Sequence, residues 1–121
     1  MQINISGTTT LKQIAELFHS TYNYLKLQFY LVDDNGQRKK ITELDKPLIE
    51  FDCIIPDGIA TVHYWQTTES TEQILSKQIG LQVEICRRYL DKWVVTNGSD
   101  RLTLEEQNLM GAASTRNYFE I

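Results

Sequence analysis

The sequence predicts an α+β fold, a two-layer sandwich of a duplicated β-α-β-β unit followed by a C-terminal helix. Two observations lead to this prediction. Apolar residues switch between a spacing of two and a helical spacing in the same order in both halves of the chain, and the second half aligns on the first at a nearly constant offset. The length of 121 residues and the hydrophobic content of 41% fit one globular domain, residues 1–121.

The first unit is predicted over about residues 1–41. A strand around Ile3 precedes a helix whose apolar residues recur at helical spacing over Leu11–Tyr22. Residues 25–31 then alternate between apolar and polar, as a strand with one buried face does. The Asn35-Gly36 pair suits a tight turn into a short polar strand, so the unit is predicted to end in a hairpin.

The second unit, about residues 59–96, repeats this order. Residues 60–64 alternate as a strand, a helix follows, and Gly80 suits the end of that helix because glycine enters the left-handed conformation without a steric penalty. A shift of 57 residues places Leu17 on Ile74, and a shift of 56 superimposes the strands that follow. We interpret the pattern as an internal duplication, although two unrelated units of this order would share it.

A linker and a third helix complete the predicted elements. The connection Thr42–Phe51 is interpreted as a turn or one short helix. Thr103 and Glu106 have the spacing of a capping box, which predicts a helix over about residues 104–113. The combined order implies mixed strand pairing, with the two long helices on one face of the sheet. A ferredoxin-like sandwich is the simplest arrangement, and a pair of ubiquitin-like units is the alternative.

The sheet face turned away from the helices, called the open face below, is the candidate binding surface. Strand alternation places the side chains of Lys26, Gln28 and Tyr30 on it. Aromatic residues contribute disproportionately to interface energy, so the open face is a plausible docking surface. The residues that we predict to bind are Tyr30, His63, Trp65, Cys86 and Arg88. The alternative is that the third helix or the tail covers this face and makes Tyr30 and Trp65 a second small core.

Charge and composition narrow the partners. A formal charge of −4 disfavours nucleic-acid binding, because a phosphate backbone is attracted by positive charge. That function stays a weaker alternative through a local patch formed by Arg38-Lys39-Lys40 with Arg87-Arg88. Two cysteines are too few for a disulfide framework and no secretory leader is evident, so a cytoplasmic location is expected. The apolar runs are too short to span a membrane.

Catalytic chemistry has little support. Neighbouring arginines could activate the Cys86 thiol, but consecutive strand residues face opposite sides, and a strand cysteine is usually a small buried apolar residue. Cys53 is a still weaker candidate. His19 and His63 lack the spacings of a zinc site, and His19 is better interpreted as a helix surface residue. We predict no catalytic residue, no metal and no cofactor.

One group of residues in the second half carries a family resemblance. It comprises the strand entry Gly80-Leu81, the strand residue Arg87, Trp93 and the stretch Thr103-Leu104-Glu105-Glu106-Gln107-Asn108. With these residues, positions 67–108 resemble a group of small uncharacterised proteins from Bacteroidota. The resemblance implies a bacterial setting and carries no catalytic assignment.

The sequence favours a non-enzymatic interaction or assembly domain that binds another protein, or itself, through the open face or an edge strand. The alternative is a small-molecule binding or catalytic domain with a site around His63, Trp65 and Cys86. Function is expected where the two units differ, since the second has histidine, tryptophan, cysteine and arginine where the first has mostly amides and lysine.

Overall fold

A computed structural model describes residues 1–51 and 57–119, with side chains described as far as Arg116. Cys53 and Pro56 lie outside the described residues. The helices and strands are β1 (Gln2–Ile5), α1 (Leu11–Thr21), β2 (Leu25–Val32), β3 (Arg38–Lys40), β4 (Gly58–Thr61), α2 (Thr68–Ile79), β5 (Gln82–Tyr89), β6 (Lys92–Val95) and α3 (Leu104–Phe119). Short 3-10 turns occupy Leu48–Phe51 and Asn97–Ser99. The predicted α+β class is confirmed.

The helices begin and end at residues whose chemistry the sequence makes visible. Thr10 caps α1 and Thr67 caps α2, each accepting a hydrogen bond from a backbone N–H in the first turn. Gly80 ends α2 with a φ of 82°, as predicted. The capping box of Thr103 and Glu106 is present, and α3 begins at the predicted residue but continues beyond the predicted end.

All strand pairs in the described residues are antiparallel, so the predicted mixed pairing is wrong. One sheet has the order β3-β2-β5-β6, and β1 pairs with β4 in a separate two-stranded sheet. A parallel pair within one unit would need β1 to lie beside β2, or β4 beside β5, with the helix as the connection between them. Here β1 takes its partner from the other half of the chain instead, as does β4.

The core lies between the inner face of the four-stranded sheet and the remaining elements. The strand residues predicted to face the helices, Leu25, Leu27 and Phe29, are buried, with Val83 and Ile85 beside them. Helix α1 packs on β2 and α2 packs on β5, so the helices of the two units share one face of the sheet as predicted. The opposite face is the open face.

The two halves repeat backbone contacts as well as element order. The Lys12 N–H donates to the Leu44 carbonyl, and the Glu69 N–H donates to the Asp100 carbonyl at offsets of 57 and 56 residues. In the central pair of strands, β2 and β5, Gln28 faces the residue 56 positions later. The duplication itself stays a prediction, and neither the ferredoxin-like nor the ubiquitin-like alternative is confirmed.

Candidate functional site

Several side chains of the open face already bind one another. The Arg38 guanidinium lies over the Tyr30 ring, 4.2 Å from its centroid, and forms an ion pair of 2.8 Å with Glu84. The Tyr30 hydroxyl donates to the Gln28 side chain at 2.8 Å. Tyr30 is therefore on the predicted face, but its polar end and one side of its ring already have partners.

Cys86 is on the open face and is only 1% exposed. Burial, with a smaller contribution from the Glu84 carboxylate, raises the pKa of Cys86 to about 11 against the opposing effect of Lys26 and Lys40. The thiol is therefore neutral at physiological pH and out of a partner's reach. A direct binding role for Cys86 has no geometric support.

The basic residues do not form the single patch that the sequence suggested. Arg88 is on the open face, where its guanidinium lies 5.4 Å from the Trp93 ring centroid. Arg87 faces the other way and donates to the Gln107 side chain of α3. The Arg38 charge is paired with Glu84, so the three arginines do not form one positive surface.

His63 and Trp65 are not on the open face, contrary to the sequence prediction. Strand β4 ends at Thr61, and a turn follows in which the His63 N–H donates to the Gln66 side chain. The two rings stack on each other at 5.0 Å in this loop, and Trp65 is 60% exposed. The predicted joint site of His63, Trp65 and Cys86 is thus divided between an exposed loop and a buried strand position.

Helix α3 does not make a second core over Tyr30 and Trp65. It packs at the Arg87 end of the sheet on the helix side, where Asn108 accepts from the Tyr24 N–H. Gly111 lies so close to Tyr24 that an added Cβ would be 2.7 Å from the Tyr24 Cβ. The alternative in which α3 covers the open face is therefore wrong, and the end of the tail, residues 120–121, lies outside the described residues.

A groove of about 430 Å³ runs along the outer edge of β2, and we call it the edge groove. Its floor is the segment Lys26–Phe29 of β2. On the helix side it is bordered by Ala15, Leu44 and Glu16, and on the side of the open face by Lys26, Lys40 and Trp93. The groove thus has one mainly apolar wall and one basic wall.

The edge groove exists because β3 is too short to cover β2. Strand β3 pairs with Tyr30–Val32 only, and the chain leaves the sheet after Ile41 donates to the Phe29 carbonyl. At the other end of the groove, His19 Nδ1 donates to the Leu25 carbonyl at 2.8 Å. Hydrogen-bonding directions alternate along an antiparallel strand, so the Leu27 N–H and C=O point into the groove between these two contacts.

The basic wall carries charge that has no acidic partner. Among the residues that the structure describes, Lys26 and Lys40 form no salt bridge. The Lys26 ammonium lies 5.1 Å from the Trp93 ring centroid, and His19 contacts the same ring edge-on at 5.8 Å. The Trp93 ring therefore contacts both the Lys26 ammonium and the His19 imidazole at one end of the groove.

The outer edge of β5, in the second half, is closed by side chains. The Val83 N–H donates to Ser76 Oγ, and the Ile85 N–H donates to a Glu72 carboxylate oxygen at 2.8 Å. The Ile85 carbonyl accepts from the Thr96 hydroxyl at 2.8 Å. At this edge the backbone N–H and C=O of Ile85 and the N–H of Val83 thus already have hydrogen-bond partners.

The sequence-based interpretation did not predict the edge groove. His19 is exposed as expected, but its contact with the Leu25 carbonyl was not foreseen. Lys40 was considered only in a nucleic-acid patch and Trp93 only in the family resemblance, and Ala15 was not considered. A usable signal was present at the 57-residue offset, which places Ala15 on Glu72 and His19 on Ser76. A small residue in one half therefore replaces an edge-capping carboxylate in the other.

Comparison of the chain with protein-family models, with curated proteins and with solved structures finds no match. In the described part of the chain, no group of three or more His, Cys, Asp or Glu side chains is placed to hold a metal ion. None of the described helices is long and apolar enough to cross a bilayer.

Proposed function

We propose that this protein is a non-enzymatic interaction domain that binds an extended segment of a partner protein along the outer edge of β2. The observation that carries the proposal is the unpaired Leu27 backbone in the edge groove, between the end of β3 and the His19 contact. An extended peptide can add to such an edge through main-chain hydrogen bonds, while its side chains enter the flanking pockets. A bacterial and cytoplasmic setting is part of the proposal.

A catalytic or small-molecule function has less support. The Cys86 thiol is buried with its pKa raised to about 11, whereas a nucleophilic thiol needs a lowered pKa and access. His63 and Trp65 are on a separate loop. Nucleic-acid binding is disfavoured by the opposite orientations of Arg87 and Arg88 and by the overall charge of −4.

The test is a selection of binders from a random displayed peptide library, followed by titration against two variants. We expect Ala15→Gln to weaken binding of the selected peptides by about tenfold or more, because the longer neutral side chain enters the groove and competes for the free backbone. Glu72→Gln, at the closed edge of β5, is the matched control and is expected to leave the affinity unchanged. An empty selection, or binders that ignore Ala15→Gln, would overturn the proposal.

A further inference from the structure

We infer that the edge groove selects an extended segment in which an apolar residue is flanked on both sides by acidic residues. This inference rests on the proposed function and specifies the partner's chemistry. It follows from three properties of the groove: the short free backbone window at Leu27, the difference between its two walls, and the uncompensated lysines on one of them.

The backbone window fixes which peptide residue faces which wall. A residue pairing opposite Leu27 turns its side chain to the same side of the sheet as Leu27, which is the helix side. That side offers Ala15 and Leu44, together with the exposed Glu16, whose charge disfavours an acidic residue there, and the buried Ile41 at the end of the groove. Because the Ala15 side chain is small, it leaves space in the groove, so an apolar side chain of modest size fits the peptide position opposite Leu27.

The two flanking peptide residues point to the other wall. Lys26 is on the open face, and Lys40 is on the same face because it pairs opposite Tyr30. Of the two residues beside the central one, the one opposite Lys26 is its direct cross-strand neighbour at a Cβ separation of about 5 Å, and the one opposite Gln28 is diagonal to Lys26 at about 7–8 Å. The residue opposite Gln28 also follows the end of β3 along the same edge, where Lys40 is on the same face. Both lysines lack a salt bridge within the described residues, so a carboxylate could pair with them without breaking an existing ion pair.

A second copy of this chain is a poorer occupant of the groove. Pairing two β2 edges at Leu27 would place Lys26 of one copy diagonal to Lys26 of the other and beside the other's Lys40, and like charges this close on one face repel each other. Lysines on exposed edges are also a common protection against self-pairing. The same two side chains thus disfavour another copy and favour an acidic segment.

The test uses the full chain and the peptide selection described above. We expect wild-type protein to enrich peptides with the pattern acidic-apolar-acidic, and the Lys26→Glu/Lys40→Glu variant to bind them about tenfold more weakly or worse. Selection against that variant should instead enrich basic residues at the flanking positions. Lys77→Glu/Arg101→Glu, which changes the net charge equally at exposed sites that do not line the groove, is the control and should retain the affinity.

The outcomes separate this inference from the proposed function. If peptides bind and Ala15→Gln weakens them, yet they carry no acidic excess or tolerate the charge reversal, the acidic specificity is wrong and the edge site stands. If no peptide is enriched, the edge function fails as well. Self-association by sedimentation that Ala15→Gln abolishes would assign the groove to a second copy and overturn the inference, as would tight binding of single-stranded DNA that the same lysine variant abolishes.

Discussion

The outer edges of β2 and β5 occupy corresponding places in the two halves of the chain, yet one is open and the other closed. At the edge of β5, Glu72 and Ser76 accept hydrogen bonds from strand amides. At the edge of β2, Ala15 is too short to do so, and His19 binds a carbonyl rather than an amide. The two edges therefore differ in the side chains at two helix positions, Ala15 against Glu72 and His19 against Ser76, and not in the course of the strand.

This comparison separates fold from function. Exposed strand edges are normally protected, since an unpaired edge is a template for other strands. The closed edge of β5 follows that rule with ordinary side-chain caps. The open edge of β2 departs from it within the same architecture, beside two lysines that form no salt bridge in the described residues. Such a local departure is where we expect binding.

Amide hydrogen exchange provides the largest contrast between the two edges. The Leu27 N–H points into the groove, whereas the N–H of Val83, its counterpart 56 residues later, is bonded to Ser76 Oγ. We expect the protection factor of Val83 to exceed that of Leu27 by about a hundredfold or more, because the capped amide exchanges only after a local opening. Exchange measured by NMR on the free protein checks this. Equal protection would mean that the edge of β2 is already covered.

The carboxylate that closes the β5 edge should make stability depend on pH. Burial, with smaller contributions from the nearby Glu84, Asp100 and Glu69, raises the pKa of Glu72 from 4.5 to about 7 against the opposing effect of the Ile85 hydrogen bond. Between these two pKa values the folded protein holds a proton that the unfolded chain has lost. The stabilisation is therefore complete below 4.5 and is lost as the pH rises through about 7.

A neutral replacement of Glu72 should remove this dependence. Glu72→Gln can still accept from the Ile85 N–H but carries no charge, so we expect it to be more stable than wild type by about 1–2 kcal/mol above about pH 8, a value reduced because the group is partly exposed to solvent. Near the lower end of the transition the two proteins should have equal stability. Urea unfolding across the pH range measures the difference, and parallel curves for the two proteins would contradict the shift.

The fold was predictable wherever local chemistry determines it. Gly80 and the pair Thr103 and Glu106 mark helix ends through hydrogen bonds or backbone conformation within a few residues. Strand pairing was not predictable, because it depends on contacts between distant segments. The end of β4 was also missed: the alternation continues through Tyr64, but the Gln66 side chain closes a turn at His63 and exposes the aromatic residues.

The candidate site was less predictable than the fold. Tyr30 and Arg88 are on the predicted face, but the edge groove depends on where β3 stops, and no residue near Lys40 marks that point in the sequence. The alignment of the two halves contained one indication of the groove, because Ala15 in the first half occupies the position of Glu72 in the second. This difference can be interpreted only when both residues are known to face a strand edge.

The smallest expected effect is the change in stability caused by closing the open edge. Ala15→Gln adds one hydrogen bond at a partly exposed site and loses side-chain freedom, so we expect the free energy of unfolding to change by no more than about 0.5 kcal/mol. Urea unfolding of the variant measures this change, and a near-zero value makes its loss of peptide binding a consequence of the filled groove. Destabilisation by about 2 kcal/mol or more, the size of a core packing defect, would instead identify Ala15 as a packing residue. The open edge would then be a by-product of tight packing between α1 and β2, and the contrast with Glu72 would lose its functional meaning.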